Sequence, residues 1–346
     1  MAQMICGWST LICPKSKFAQ QPALNYKGSL ASPGYSYEFF GGASTYCIIP
    51  PEVMELGCLL HYDGESYFDA SLGEPMSCII GGYNANYHTN KVDYNHAMGV
   101  KPGGNVLILG GCGPMGLGAA EYPLALGDKK PARVVVTDIS NERIARAKRL
   151  VSPGHAKSLG VELVYLNPTE LANQYEYLLN LTGGHGFDDV FVYAPIKELA
   201  ELGDRLMAFD GCMNFFAGPS SKDFAAAINL YNCHYTSTHI MGMTGGNTAD
   251  LKEALALSAS GKIHPAVMVT HIGGIDCIAG ATASLPDLGA GKILTYTQIE
   301  MPLTAIADFD RLGKTDPLFA KLHDLCEGAG GMWSAKAEKA LLEHFA

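Results

Sequence analysis

Residues 104–150 read GNVLILGGCGPMGLGAAEYPLALGDKKPARVVVTDISNERIARAKRL, and the fold turns on how this stretch is read. Residues 106–109 form an apolar run of strand length. Gly111, Gly113 and Gly116 follow in G-x-G-x-x-G spacing, ahead of an Ala- and Leu-rich helical stretch. In such a strand–turn–helix unit the first glycine permits a tight turn and the second lets backbone approach a pyrophosphate. The third lets helix and strand pack closely. The phosphates then lie over the helix N-terminus, where N–H groups without helical partners point outward. Pro114 suits the first helical position, because the N–H it lacks would have no partner there. A second apolar run, 134–137, ends in Asp138, which lies 22 residues after Gly116. An acid at that distance suits the adenosine ribose hydroxyls and repels a 2′-phosphate, so the pattern predicts NAD over NADP. Pro123 falls inside the helix expected from 114 to about 126. It removes a backbone bond at about 3 kcal/mol and predicts a kink or an early end.

Outward from this unit, strands and helices alternate from 104 to about 245. Segments 161–166, 189–193 and 212–217 read as further strands, and 169–181 and 197–208 as helices. Segment 232–242 reads as the last strand. The alternation predicts right-handed crossovers and a doubly wound parallel sheet. Upstream, 45–49 and 53–60 read as short strands around a Pro-Pro-Glu turn. Residues 69–88 read as a helix interrupted where Glu74 precedes Pro75. Downstream come a helix at 249–260, a strand-like run at 264–272, a helix at 278–285 and a strand at 292–296. Two amphipathic helices, 316–327 and 334–345, close the chain. The expected organisation is a β-rich domain at 1–92, a dinucleotide-binding domain at 93–245, and a return at 246–346 with a helical extension.

The chain has 346 residues, room for about two domains. It is 48% hydrophobic, enough to bury cores, and its net charge of −10 argues against nucleic acid or an anionic membrane as partner. Ten cysteines are scattered singly with no C-x-x-C, which points to a reducing, cytoplasmic setting. No positive charge precedes the first apolar residues, as a signal peptide would require. No apolar run reaches membrane-spanning length.

Five motifs together resemble the medium-chain, zinc-dependent alcohol dehydrogenases: GGASTY (41–46), ASLGEPMSC (70–78), LILGGCGPMGLGA (107–119), VVVTDI (134–139) and HPAVMVTHI (264–272). The stretch QPALNYKGSLASPGYSYEFFGG (21–42) and the tail segments GKTDPLF and MWSAKAEKALLE are similar to the L-sorbose 1-phosphate reductase group. That group interconverts a ketose phosphate and a hexitol phosphate. The resemblance implies a Rossmann domain inserted in a truncated GroES-like catalytic domain. It also implies a homo-oligomer that passes hydride between NAD and a sugar phosphate or polyol. By the same resemblance, Gly111, Gly113, Pro114, Met115 and Gly116 cradle the pyrophosphate. Asp138 holds the adenosine ribose and Arg143 lies along the adenine. Ala217 and Gly218, with Met243 and Thr244, flank the nicotinamide. Glu74 matches the zinc-ligating carboxylate of polyol dehydrogenases.

In that family zinc polarises the substrate oxygen while the nicotinamide exchanges hydride. The metal takes a Cys near the N-terminus and a His in a G-H-E segment. This chain has no G-H-E and few residues before Phe18, so an incomplete zinc site is expected. Cys6, Cys13 and His61 are the residues that could substitute, and no catalytic residue is assigned. Lys27, Lys91 and Lys292 could meet a substrate phosphate, and Tyr35, Tyr37, Phe39 and Phe40 could line a sugar pocket. Two alternatives stay open: an NAD-binding remnant without turnover, and a zinc-free reductase of the quinone-reductase kind.

Overall fold

The computed structural model describes residues 43–49, 54, 59–89, 92–285, 287–289 and 291–346, and the backbone alone of 3–6. Two compact units divide the chain: Met1–Ser77 with Asn247–Ala346, and Cys78–Gly246.

In the first unit, β1 (Gln3–Cys6) pairs antiparallel with β2 (Leu59–Tyr62). Two helices follow, α1 (Tyr67–Ser71) and α2 (Gly73–Ala85). The interruption expected at Glu74–Pro75 falls instead at Leu72. Pro75 occupies the first turn of α2, where it removes no helical hydrogen bond. Residues 45–49, expected as a strand, are bends and irregular backbone. Tyr46 and Ile48 stand exposed there, and alternating side chains form a strand only where a neighbouring edge pairs with them. Of 53–60, only Met54, Leu59 and Leu60 are described, and the strand there is β2.

The second unit begins within α2, at Cys78, and continues with a hairpin of β3 (Tyr87–Thr89) and β4 (His96–Met98). Six strands then build one sheet: β5 (Asn105–Leu109), β6 (Arg133–Thr137), β7 (Glu162–Leu166), β8 (Phe187–Val192), β9 (Met207–Phe215) and β10 (His239–Met241). All their pairings are parallel, in the order β10-β9-β8-β5-β6-β7. The connecting helices are α3 (Pro114–Glu121), α4 (Asn141–Leu150), α5 (Pro153–Ser158), α6 (Gln174–Leu181), α7 (Lys197–Leu206) and α8 (Leu230–Tyr235). A parallel sheet covered on both faces needs continuous apolar strands. Leu107, Leu109, Val135, Val190, Val192 and Met213 supply its buried centre. The expected early end of the first helix is present, since α3 stops at Glu121 and hands over to a 3-10 turn, Tyr122–Ala125, that contains Pro123. The last strand is shorter than 232–242 because the Asn229 side chain accepts the Tyr231 N–H and starts α8, leaving only His239–Met241 extended.

Strand β8 (FDDVFV) departs from the apolar rule with two aspartates, and both are satisfied. Asp188 accepts from Lys101 Nζ at 2.6 Å and from the Asn105 N–H at 2.8 Å. Asp189, fully buried, accepts from Asn86 Nδ2 at 2.8 Å and from the Lys101 N–H at 2.9 Å. His88 Nε2 lies 3.3 Å from the same Asp189 carboxylate, and His88 Nδ1 lies 3.0 Å from the Asp210 carbonyl oxygen. Both ring nitrogens thus face acceptors, which only the doubly protonated imidazolium satisfies. Asp210 accepts from the Thr89 N–H and hydroxyl and lies 2.9 Å from His239 Nε2, so the hairpin is tied to the amino ends of β8, β9 and β10.

The first unit resumes with α9 (Thr248–Ala259), whose N-terminus carries a capping box of Asn247 and Asp250. A 3-10 turn, Pro265–Met268, replaces the start of the expected 264–272 strand. Beyond it lie β11 (Val269–Gly274), α10 (Ile278–Ser284), β12 (Lys292–Tyr296) and β13 (Thr304–Ala305), the strands ordered β12-β11-β13. Helices α11 (Phe309–Gly313), α12 (Pro317–Glu327) and α13 (Ala335–His344) complete the chain. Buried Glu338 of α13 accepts the N–H groups of Tyr67 and Phe68 at 2.6 and 2.9 Å, capping the start of α1. It also accepts the Tyr296 hydroxyl at 2.8 Å, and that hydroxyl accepts the Trp333 indole N–H at 2.7 Å.

Burial alone would lower the His88 pKa, but the hydrogen bond to Asp189 and that residue's charge outweigh it and raise the value. A histidine with a raised folded-state pKa stabilises fully below its ordinary value of about 6.5, and the contribution fades as pH rises through the folded value. Denaturant titrations should show His88→Gln less stable than wild type by about 1.5 kcal/mol near pH 6. The gap should shrink steadily toward pH 9.

Candidate nucleotide-binding site

The chain adds β6 and β7 on one side of β5, then returns to add β8, β9 and β10 on the other. Loops at the carboxyl ends of β5 and β8 therefore flank a switch point, where open parallel sheets bind ligands. The Gly111 N–H donates to the Thr137 carbonyl at 2.8 Å and ties the loop after β5 to the end of β6.

The three motif glycines divide by what a Cβ would meet. On Gly111 it would lie 2.6 Å from Ile108 Cγ2 and 2.7 Å from Val136 Cγ1. On Gly116 it would lie 2.4 Å from the Gly111 carbonyl oxygen. On Gly113, the N-cap of α3, it would meet nothing within 4 Å. Two of the glycines thus serve close packing, and the third leaves open space in front of the helix. Pro114 and Met115 begin α3, and its first turn carries no acid to compete with a bound anion.

Asp138 follows β6 and is buried. Its Oδ2 accepts the Cys112 N–H at 3.2 Å, and its Oδ1 accepts the Ser140 N–H at 3.0 Å. Arg143, in the first turn of α4, also donates to Oδ1, from Nε at 3.1 Å and Nη2 at 2.8 Å. The Ser140 hydroxyl accepts the Arg143 N–H and caps that helix. Burial, and then the Asp138 charge, push the Cys112 thiol up to about 12, which leaves it a neutral filler of the loop.

Ala217 follows β9, and its N–H donates to the Val192 carbonyl at 2.9 Å. Nothing lies within 4 Å of a Cβ placed on the next residue, Gly218. Met243 and Thr244 follow β10, the first half-buried and the second exposed. Sequence reasoning missed Tyr193, the first residue past β8, whose ring stacks on Phe216 at 4.4 Å. Its hydroxyl oxygen is buried with no hydrogen-bond partner among the described residues, and burial raises its pKa well above the ordinary value. The available signal was its place at the end of an apolar run beside the switch point.

Glu74 belongs to the first unit, half-buried in the first turn of α2. Among the described residues, no group of three or more His, Cys, Asp or Glu side chains could hold a metal ion. His61 Nδ1 lies 2.9 Å from exposed Asp63. The Cys6 side chain, Cys13, Lys27, Lys91, Tyr35, Tyr37, Phe39 and Phe40 lie outside the described residues. Lys292 borders a cleft of the first unit with Tyr67, Ser71, Thr295 and Gln298. The described residues thus fit a dinucleotide, through the open Gly113 cradle, and do not assemble a zinc site.

The model of the zinc-binding dehydrogenases matches residues 114–260. YggP of Escherichia coli K12 is 51% identical over 329 residues, covering 95% of this chain and 77% of that protein. The chain belongs to the zinc-binding dehydrogenase family. Mannitol-1-phosphate 5-dehydrogenase of Aliivibrio fischeri is 47% identical over 95% of this chain and 77% of its own length. L-sorbose 1-phosphate reductase of Klebsiella pneumoniae is 42% identical over 97% and 78%. The chain therefore spans about three quarters of these relatives. Among solved structures, 2R,3R-butanediol dehydrogenase from Bacillus subtilis matches with a TM-score of 0.58 at 19% identity, over 75% of this chain and 65% of that one. A zinc-binding dehydrogenase of Sinorhizobium meliloti bound to NADP matches at 0.57 and 17%, over 75% and 66%. At such identities these two show the shared fold. The expected family, the Rossmann-type α/β class and the oxidoreductase class all stand.

The division among the glycines has a direct test. Gly113→Ala should unfold at the wild-type temperature yet lose about tenfold or more in affinity for ADP-ribose, since a methyl group fills the cradle. Gly116→Ala should lower stability by about 1–3 kcal/mol, because the obstructing atom is backbone. Calorimetric melting beside ADP-ribose titration reads both.

Proposed function

We propose that this chain is a dehydrogenase that passes hydride between NAD and a sugar phosphate or polyol, interconverting a ketose phosphate and a hexitol phosphate. The observation that carries the reading is the open cradle at Gly113, set before the N-terminus of α3 with buried Asp138 at the end of the adjacent strand. The α3 N–H groups bind the pyrophosphate, with Pro114 and Met115 shaping the turn. Asp138 holds the adenosine ribose, and Arg143 borders it on the solvent side. Ala217, Gly218, Met243 and Thr244 form the loops that orient the nicotinamide, which supplies hydride exchange when bound. Tyr193 closes the floor between β8 and β9 and excludes water there.

The substrate class follows from the names of two relatives, a mannitol-1-phosphate dehydrogenase and an L-sorbose 1-phosphate reductase. Free cysteines at every described cysteine side chain support a reducing, cytoplasmic setting. No helix among the described residues is long and apolar enough to cross a membrane. A homo-oligomer is supported by the edge position of β10, with Leu230, Tyr231, Tyr235 and Ile240 exposed around it. A second reading, nucleotide binding without turnover, is favoured by one observation: the described residues bring no set of metal ligands together.

Zinc per chain by elemental analysis, beside NAD-linked oxidation of mannitol 1-phosphate and reduction of L-sorbose 1-phosphate, separates the readings. The dehydrogenase reading expects turnover of at least one of the two. NAD binding without turnover of either leaves the second reading, and a chain that binds no NAD removes both.

A further inference from the structure

We infer that Arg143 makes the ribose-binding acid permissive, so that the site admits NADP as well as NAD, with Arg143 as counter-ion of the adenosine 2′-phosphate. The inference rests on the nucleotide-site reading above and concerns which of two cofactors that site accepts.

A lone carboxylate at the end of the second sheet strand discriminates in two ways. Its two oxygens accept the two ribose hydroxyls, and its charge repels a phosphate on the 2′ oxygen. Neither device is intact here. Oδ1 of Asp138 already accepts three N–H donors, one from Ser140 and two from Arg143. Oδ2 accepts one, from Cys112, and retains room for a single hydroxyl. One ribose oxygen therefore meets carboxylate while the other meets guanidinium. A guanidinium donates equally well to a hydroxyl and to a phosphate, and binds the phosphate more strongly.

The charges agree. With Arg143 Nη2 at 2.8 Å from Asp138 Oδ1, an incoming 2′-phosphate faces a neutral pair and not a bare anion. Exposure orders the two groups: the Asp138 side chain is 5% exposed and that of Arg143 is 53% exposed. The acid lies inside and the base lies on the side from which a cofactor arrives. Two of the guanidinium's five N–H donors serve Asp138, and Nη1 has no partner among the described residues. The first turn of α4 adds the partial positive charge of a helix start at the same place, and the acid in that turn, Glu142, is solvent-exposed and screened.

Calorimetric titration of the full chain with ADP-ribose and with 2′-phospho-ADP-ribose reads the site without turnover. Wild type should bind the two within about tenfold of each other. Arg143→Gln should weaken both probes and shift the ratio of their affinities about tenfold to a hundredfold against the 2′-phosphorylated one. Arg143→Lys, which keeps the charge but loses the fork, should recover part of that loss. A wild-type preference for ADP-ribose of about a hundredfold or more overturns the inference. So does an Arg143→Gln protein, folded by its melting curve, in which the ratio of the two affinities is unchanged. If neither probe binds wild type, the nucleotide-site reading fails as well, and that result is distinct from the other two.

Discussion

The approach of the Gly116 backbone to the Gly111 carbonyl fixes the rest of the nucleotide-binding unit. At that point α3 crosses the end of β5 at a separation that excludes even a methyl group. Because the helix is held that close, its N-terminus stands at the carboxyl edge of the sheet and not above its face. The next loop of the sheet is fastened to the same place by the Gly111 N–H on Thr137, one residue before Asp138. The N-terminus of α3 and Asp138 are therefore positioned by one backbone contact and one backbone hydrogen bond. Neither depends on a side chain that could change rotamer.

At the opposite edge of the sheet the constraint is electrostatic. Two adjacent aspartates in a central strand would each carry a severe desolvation cost if left bare. Asp189 is instead surrounded by donors from Asn86, Lys101 and His88, all from the segment that leads into the sheet. The sheet thus uses buried charge to hold the β3–β4 hairpin, and apolar packing for its own strands. Charge buried with a full set of partners is specific about what may pair with it, which suits a connection that must form in one register.

How much of this was legible in sequence follows from where information is local. Strands β5 and β6 could be read because their runs are almost wholly apolar, as burial on both faces requires, β7 and β8 because of the shorter apolar runs within them, and the glycine spacing is a local pattern. The helix end near Pro123 was legible for the same reason. The edges were not. Residues 45–49 alternate like a strand but have no described neighbour to pair with, and the Asn229 cap turned the front of the expected last strand into α8. Asp138 and Arg143 were both visible as letters five positions apart. That the guanidinium sits on the carboxylate depends on Ser140 capping α4, a matter of geometry that no spacing rule contains. The partnership of His88 with Asp189, 101 residues apart in sequence, left no local trace at all.

Glu338 gives the first unit a particular assembly order. The carboxylate that completes the start of α1 comes from α13, separated from Tyr67 by 271 residues, with the whole second unit in between. On a ribosome, α1 emerges long before its cap exists, whereas Cys78–Gly246 emerges as one uninterrupted length able to fold as a unit. The nascent chain thus carries all of Cys78–Gly246 while the N–H groups of Tyr67 and Phe68 still lack the carboxylate that accepts them. Closure of that discontinuous unit therefore waits on a helix encoded 271 residues after the groups it caps.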